Sequence, residues 1–327
     1  MRILTALLAL GASASVSASA AAAGADAVRL GNLKFAHYGA VSYMQEIGRE
    51  HGLDVQERVF AKGVDLIPAL VAGEIDIAAS SSDAAIAARV AGAPIYVVAG
   101  FAKGGARIVV KDGIKSLAEL RGKKVGVARG GAQELLLLAE LAKAGLSWSD
   151  RPGKDVLILY LAYADLNQAL ASGNIDAMCQ SEPQSAQAIA RGFGKELMKP
   201  YDTPLGEPVR ALVMTEKLYK GKPDVARRVL EAFVDATRRF ETDPALASRW
   251  VREKMFKGQL SETDYKDAMS NAPLTTDITV AHIQTTADLM VKYGVGRLPK
   301  APDAREFVKL DLLEKAKSAL PVTKAKR

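Results

Sequence analysis

Two segments of this chain repeat one pattern, the first starting at residue 68 and the second at residue 168. Pro68–Ile77 reads PALVAGEIDI and Gln168–Ala177 reads QALASGNIDA, both of the form x-A-L-x-x-G-x-I-D-x. In each, a short apolar helix meets a glycine suited to the left-handed C-terminal cap, and the chain turns at once into a strand opening with Ile-Asp. A further strand precedes each copy, Val55–Phe60 before the first and Val156–Leu161 before the second. Strand, helix and strand joined this closely require parallel strands and a right-handed crossover. The spacing is too long for a solenoid repeat. The duplication therefore points to two similar α/β lobes, the alternative being one large sheet in which the same device recurs.

The remaining strands fall into place around this pair. The first lobe gains Asn32–Ala36, Ile75–Ala79 and Ile95–Ala99, and the second gains Lys124–Ala128, Ile175–Cys179 and a piece near Leu197. Ile108–Lys111 and Ala211–Thr215 are isolated apolar runs, as expected of two strands that cross between lobes. From there the pattern is helical. Asp224 can cap a helix with an apolar face of Val225, Val229, Phe233, Val234 and Phe240; Asp243-Pro244 opens another that runs to about Met255. Further helices are expected over Glu262–Met269, Val280–Tyr293 and Ala304–Ala319. The expected organisation is residues 24–112 in lobe 1, 113–207 in lobe 2, 208–320 returning to lobe 1 with the C-terminal helices, and 321–327 as a tail.

Arg2, the apolar stretch Ile3–Ala12 and Ala18-Ser19-Ala20 have the charge, length and small-residue ending of a secretory signal, cleaved after Ala20 or Ala23. Its apolar core is too short to span a bilayer. No cysteine lies near the cleavage zone to take a lipid, so a free periplasmic protein is expected. The chain of 327 residues holds one cysteine, so no internal disulfide can form and packing must hold the fold together. The formal charge of +7 is spread along the chain and aromatics are only 6%, which argues against nucleic acid as a partner. A monomer is expected.

In open parallel sheets, ligands sit beyond the carboxyl ends of the strands, where loops converge and helix N-termini offer free amides. Each lobe supplies three such loops. In the first, His37, Tyr38 and Tyr43 follow one strand, Lys62 the second, and Ser80, Ser81, Ser82 and Asp83 the third. In the second lobe the corresponding loops carry Arg129, Gly130, Gly131 and Ala132, then Tyr163 and Asp165, then Glu182. Hydroxyls, a Gly-Gly turn, a charge and tyrosine walls are what a small polar ligand needs. Ser80–Asp83 serve equally as helix caps, Arg129 as a solvated loop charge, and Glu182 as a turn carboxylate. Signatures of serine hydrolases, phosphate-binding loops and zinc peptidases are absent, as is CxxC. The three histidines, His37, His51 and His282, are scattered, and no metal or cofactor is expected.

The residues now assembled resemble a known family. Phe60-Ala61-Lys62-Gly63, the repeated A-L-x-x-G-x-I-D unit, Ala91-Gly92-Ala93-Pro94-Ile95 and, above all, Ser116-Leu117-Ala118-Glu119-Leu120-Arg121-Gly122-Lys123-Lys124-Val125 are similar to periplasmic binding proteins for nitrate, sulfonates and taurine, and to the related thiamine-pyrimidine precursor binders. The resemblance runs from Val28 to about Leu298. It implies an α/β, bilobed type II periplasmic-binding-protein fold with two crossover strands, closing on its solute and handing it to an ABC permease. It also places Ser81, Ser82, Gly130, Gly131, Ala132 and Glu182 near the ligand. Two departures stand out. Asp83 occupies a position usually uncharged in the family, and Ser181-Glu182-Pro183 lacks a tryptophan. An organic acid, zwitterion or heterocycle is then expected ahead of nitrate or an aliphatic sulfonate. The other readings are a pyrimidine synthase of the same fold, whose cysteine-rich iron motif this chain lacks, and a sensor protein presenting its ligand to a membrane kinase.

Overall fold

The computed structural model describes residues 24–61 and 63–320; the expected leader, the tail and Lys62 lie outside the described residues. The strands are β1 (Asp26–Leu33), β2 (Leu53–Phe60), β3 (Ile77–Ser81), β4 (Ile95–Lys103), β5 (Ala106–Val110), β6 (Lys124–Val127), β7 (Trp148–Ser149), β8 (Val156–Tyr160), β9 (Ala177–Ser181), β10 (Lys195–Met198) and β11 (Val209–Thr215). The helices are α1 (Gly39–Ile47), α2 (Leu66–Val71), α3 (Ser82–Val90), α4 (Ala132–Lys143), α5 (Tyr163–Ala171), α6 (Gln184–Ala190), α7 (Glu216–Gly221), α8 (Pro223–Thr242), α9 (Pro244–Arg249), α10 (Glu262–Ser270), α11 (Val280–Tyr293) and α12 (Asp311–Ala319).

These strands form two sheets, one per lobe, in the orders β2-β1-β3-β11-β4 and β10-β5-β9-β6-β8-β7. The repeated unit has the same geometry in both. Gly73 and Gly173 take left-handed φ of 72° and 80°, and their amides close onto Leu70 and Leu170. Ile75 then plugs against Gly31 of β1, as Ile175 does against Gly126 of β6. A Cβ on either glycine would stand 2.4 or 2.6 Å from the isoleucine Cδ1. Asp76 and Asp176 each accept a backbone N–H from the neighbouring strand, that of Arg29 and that of Lys124.

The strands differ from the sequence reading in instructive ways. Both β3 and β9 begin two residues later than expected, because Ile75-Asp76 and Ile175-Asp176 are still turning out of the glycine while their isoleucines are already buried. β1 runs Asp26–Leu33, not Asn32–Ala36; it alternates Val28 and Leu30 into the core, and Phe35-Ala36 leave the sheet into a short turn at Ala36–Tyr38. The run Ile108–Lys111 belongs mostly to β5, a full member of the second sheet antiparallel to β9 and β10. The passage between sheets is Gly104-Gly105, with φ of 63° and 74°, where a Cβ on Gly104 would meet the Asn271 carbonyl at 2.4 Å. The return passage brings the chain to β11, which inserts antiparallel between β3 and β4. Each parallel core thus carries one antiparallel strand on one side, β11 or β5, with a further strand beyond it.

The C-terminal helices cover the first lobe and reach across to the second. α8 lays its apolar face on α1 and α12, with Pro223 in its first turn and Lys222, not Asp224, at its cap. α11 touches both α3 and α4. The helix expected over Ala304–Ala319 is broken: Val97 and the segment Phe307–Lys309 exchange backbone hydrogen bonds along the outer edge of β4, and only Asp311–Ala319 is α-helical. Covering that edge blunts a sheet margin that would otherwise pair with other chains. Cys179 lies wholly buried within β9. Among the described residues no helix is long and apolar enough to cross a membrane.

Candidate functional site

A cavity of about 520 Å³ lies between the lobes, where the carboxyl ends of β1, β3, β6, β8 and β9 face one another. Of the residues singled out from sequence, Tyr38, Ser80, Ser81, Arg129, Gly130, Gly131, Tyr163 and Asp165 line it. The lobes touch across it: the Phe35 ring meets Tyr163 edge-on at 5.3 Å, and Gln133 Nε2 donates to the Gly105 carbonyl.

Lys62 lies outside the described residues, and the others are set back from the wall. Tyr43 packs between Phe240 and Trp250 in the first-lobe core. His37 is buried against Phe35 and Tyr38, beside Gly105; burial, and then the positive charge of Arg210, hold its pKa well below the ordinary value. Ser82 donates its hydroxyl to the Val209 carbonyl. Ala132 is the first residue of α4. Asp83 is buried behind the wall with neither oxygen in a well-formed hydrogen bond. Burial raises its carboxyl to about 6, against the pull of Arg210 and of the Ser81 hydroxyl. Glu182 lies at the crossover. Arg107 Nε sits 2.7 Å from its Oε1, an ionic contact without hydrogen-bond alignment, and Asn271 Nδ2 donates to the same oxygen at 2.9 Å. Arg107 in turn reaches Asp267 of α10, and the Tyr201 hydroxyl lies 3.0 Å from Asn271 Oδ1.

Arg210, Phe35, Gln133 and Tyr160 also line the wall, and sequence reading did not single them out. Arg210 is the consequential one. It is 3% exposed, and its side chain makes no hydrogen bond or ion pair among the described residues; Nε is wholly enclosed without an acceptor. A charge this deep is ordinarily paired. A lone arginine heading an apolar buried strand, Val209–Thr215, was the available signal.

The second lobe commits its polar groups to one another. The Arg129 guanidinium lies over the Tyr160 ring, 3.7 Å from its centroid, and pairs with Asp150. The Tyr160 hydroxyl donates to Glu134 Oε1, and the Gly130 amide donates to Glu134 Oε2, so this carboxylate caps the start of its own helix. The Tyr163 hydroxyl donates to Gln133 Oε1, and a Cβ on Gly131 would stand 2.6 Å from that hydroxyl. The amides of Ala132 and Gln133 open the helix directly after the cavity-lining Gly130-Gly131 turn.

This two-lobed, two-crossover arrangement is the periplasmic-binding-protein fold, and the comparisons agree. A putative binding protein of Brucella abortus strain 2308 is 32% identical over 140 residues, 42% of this chain and 41% of that one; the chain thus matches about two fifths of the length of that relative. The alkanesulfonate-binding protein of Xanthomonas axonopodis pv. citri bound to MOPS superposes with a TM-score of 0.74 at 22% identity, covering 88% of this chain and all of that one. The periplasmic nitrate-binding protein of Synechocystis PCC 6803 gives 0.73 at 18% identity, over 91% and 89% of the two chains. The model of the NMT1-like family matches residues 21–252, most of the chain. The protein belongs to the NMT1-like family.

Proposed function

We propose that the protein is a periplasmic solute receptor of an ABC importer, which captures a small polar or anionic organic solute between its lobes and delivers it to a membrane permease. The observation that carries this reading is Arg210: a buried cation with no hydrogen bond or ion pair among the described residues, in the wall of a cavity that both lobes close. Such an arrangement is costly unless something complementary arrives. The binding-protein and sulfonate- or nitrate-receptor names of the relatives support it.

Closure follows from the connections. Rotation about Gly104-Gly105 and the returning segment before β11 would part the loops of the two sheets, and a solute touching both would favour the closed state. Gln133 ties the cleft wall to the hinge, through its bonds to Tyr163 and to Gly105. The reading is that of a receptor and not of an enzyme: the wall offers recognition groups, its lining carboxylate Asp165 is exposed, and the nearby Glu134 is consumed in capping.

Native mass spectrometry of gently purified protein, followed by a thermal-shift panel of carboxylates, sulfonates, nitrate, amino acids and pyrimidines, tests the proposal. Ligand at a hundred times its dissociation constant should stabilise the fold by about 2.7 kcal/mol. Small-angle scattering should show compaction with the same solute. A panel that leaves refolded protein unmoved would remove the receptor reading.

A further inference from the structure

The cleft is selective in a way that its relatives' names do not state. Arg210 shares the lining with the hydroxyl-bearing Ser80, Ser81 and Ser181. Arg210 stands opposite Ser81 in the β3–β11 register, so the cation is fixed by a strand rather than a mobile loop. The open amides at the start of α4, a helix of 12 residues, add positive potential to the same cavity.

Beyond these groups and the committed Arg129, Gln133 and rim Asp165, the wall is largely apolar. Leu33, Phe35, Leu66 and Leu161 contribute carbon. Tyr160 and Tyr163 also present rings rather than hydroxyls, because Glu134 and Gln133 already take their O–H groups. The rings form a connected set: Phe35 lies 5.4 Å from Tyr38 and 5.3 Å from Tyr163, and Tyr38 lies 4.7 Å from Phe101. An added flat ring would extend this edge-to-face arrangement, which contributes beyond simple area burial.

The wall is poor in groups that could receive a cation. Glu134 is occupied at both oxygens, Asp83 lies behind the lining, and Asp165 is at the exposed rim. An ammonium group would enter facing Arg210 with no free buried carboxylate on the wall. The volume of about 520 Å³ also exceeds what a trigonal or tetrahedral inorganic anion fills.

We propose that the solute is an aromatic organic anion, its single acid group seated on Arg210 and its ring against Phe35, Tyr38 and Tyr163. This rests on the receptor reading above and narrows it from any polar solute to one amphipathic class. The guanidinium fork suits a carboxylate or a sulfonate alike.

Titration calorimetry on protein refolded from denaturant, to strip carried-over solute, tests the class with six probes: benzoate, benzenesulfonate, phenylalanine, taurine, acetate and nitrate. Benzoate or benzenesulfonate should bind at least tenfold more tightly than acetate, taurine or nitrate, and phenylalanine should be rejected. Arg210→Gln should abolish benzoate and benzenesulfonate binding, Arg210→Lys should restore part of it, and Phe35→Leu should reduce the aromatic preference without removing acid binding. Each variant's circular dichroism and melting transition show that it folds. Preferred binding of taurine, nitrate or phenylalanine would overturn the aromatic-anion assignment while leaving the receptor intact. Benzoate binding that survives Arg210→Gln would overturn it too. Silence from all six probes and from the wider panel would take down the receptor reading and this proposal together.

Discussion

The two lobes are built on one plan and use a carboxylate at the same corner, one position apart, differently. Ser81-Ser82-Asp83 and Ser181-Glu182-Pro183 follow equivalent strands, and each lobe sets an arginine from an antiparallel neighbouring strand beside this corner: Arg210 of β11 and Arg107 of β5. In the second lobe the arginine and the carboxylate meet, and Asn271 and Asp267 complete a closed network at the crossover. In the first lobe Asp83 and Arg210 are both buried, yet no ion pair joins them. One corner locks the hinge while its counterpart is left available to the cleft. Equivalent scaffolds therefore do not imply equivalent roles; the difference lies in whether the partner charge is supplied by the chain or from outside.

The sharpest way to break this comparison is to remove each arginine. Arg107→Met should destabilise the protein by about 3–5 kcal/mol in urea unfolding, because it strips a buried carboxylate of its counter-ion, whereas Arg210→Met should leave stability unchanged or improve it. Equal losses would mean that Arg210 has an internal partner after all. Next come the plugs beneath the repeats: Gly31→Ala and Gly126→Ala should each cost about 1–3 kcal/mol by overpacking against Ile75 and Ile175, and the two losses should agree closely.

A smaller effect separates the corners by pH. Asp83 faces Arg210 of β11, the Ser81 hydroxyl of β3, Glu134 of α4 and the phenols of Tyr38 and Tyr163. Burial lifts its carboxyl to about 6, and an anion on Arg210 favours its uncharged form. Benzoate affinity, followed by calorimetry, should consequently rise about tenfold, or about 1.4 kcal/mol, as pH falls from 7.5 to 5.5, and Asp83→Asn should flatten the profile. The smallest effect is at the outer ends of the repeats. Burial pushes the Asp76 carboxyl up, but the Arg29 side chain and amide more than offset it and hold it below 3.8. This depressed value contributes stability above about pH 4 that is lost as pH falls through the folded pKa. Asp76→Ala should cost about 0.5–1 kcal/mol at pH 7, since the pair is partly exposed, and Asp176→Ala, which forfeits chiefly the hydrogen bond from the Lys124 amide, should cost less.

Much of the architecture was legible because it is written in local pattern. The glycine-Ile-Asp device declares both parallel units, and the apolar runs declare the strands. The boundaries slipped where burial and pairing part company: Ile75 and Ile175 are core residues before their chain has entered a sheet, so apolarity announces them two residues too early. In the cleft, loop chemistry pointed to Ser80, Ser81, Gly130, Gly131 and Tyr163, which line the cavity. Arg210 escaped because the run in which it sits was read as starting at Ala211, and its importance comes from a missing partner, which no sequence displays. The setting of Glu182 depends on Arg107 and Asn271, far away along the chain and brought together only by the crossover.

The burial of Cys179 has a practical consequence. It is the sole cysteine of the chain, and burial pushes its thiol up, so in the folded protein it should resist alkylating dyes. Cysteines introduced on the outer surfaces of α5 and α8 could then take up a donor and an acceptor fluorophore without background labelling. The protein in its native sequence is thus a ready frame for an optical sensor that reports lobe movement one molecule at a time.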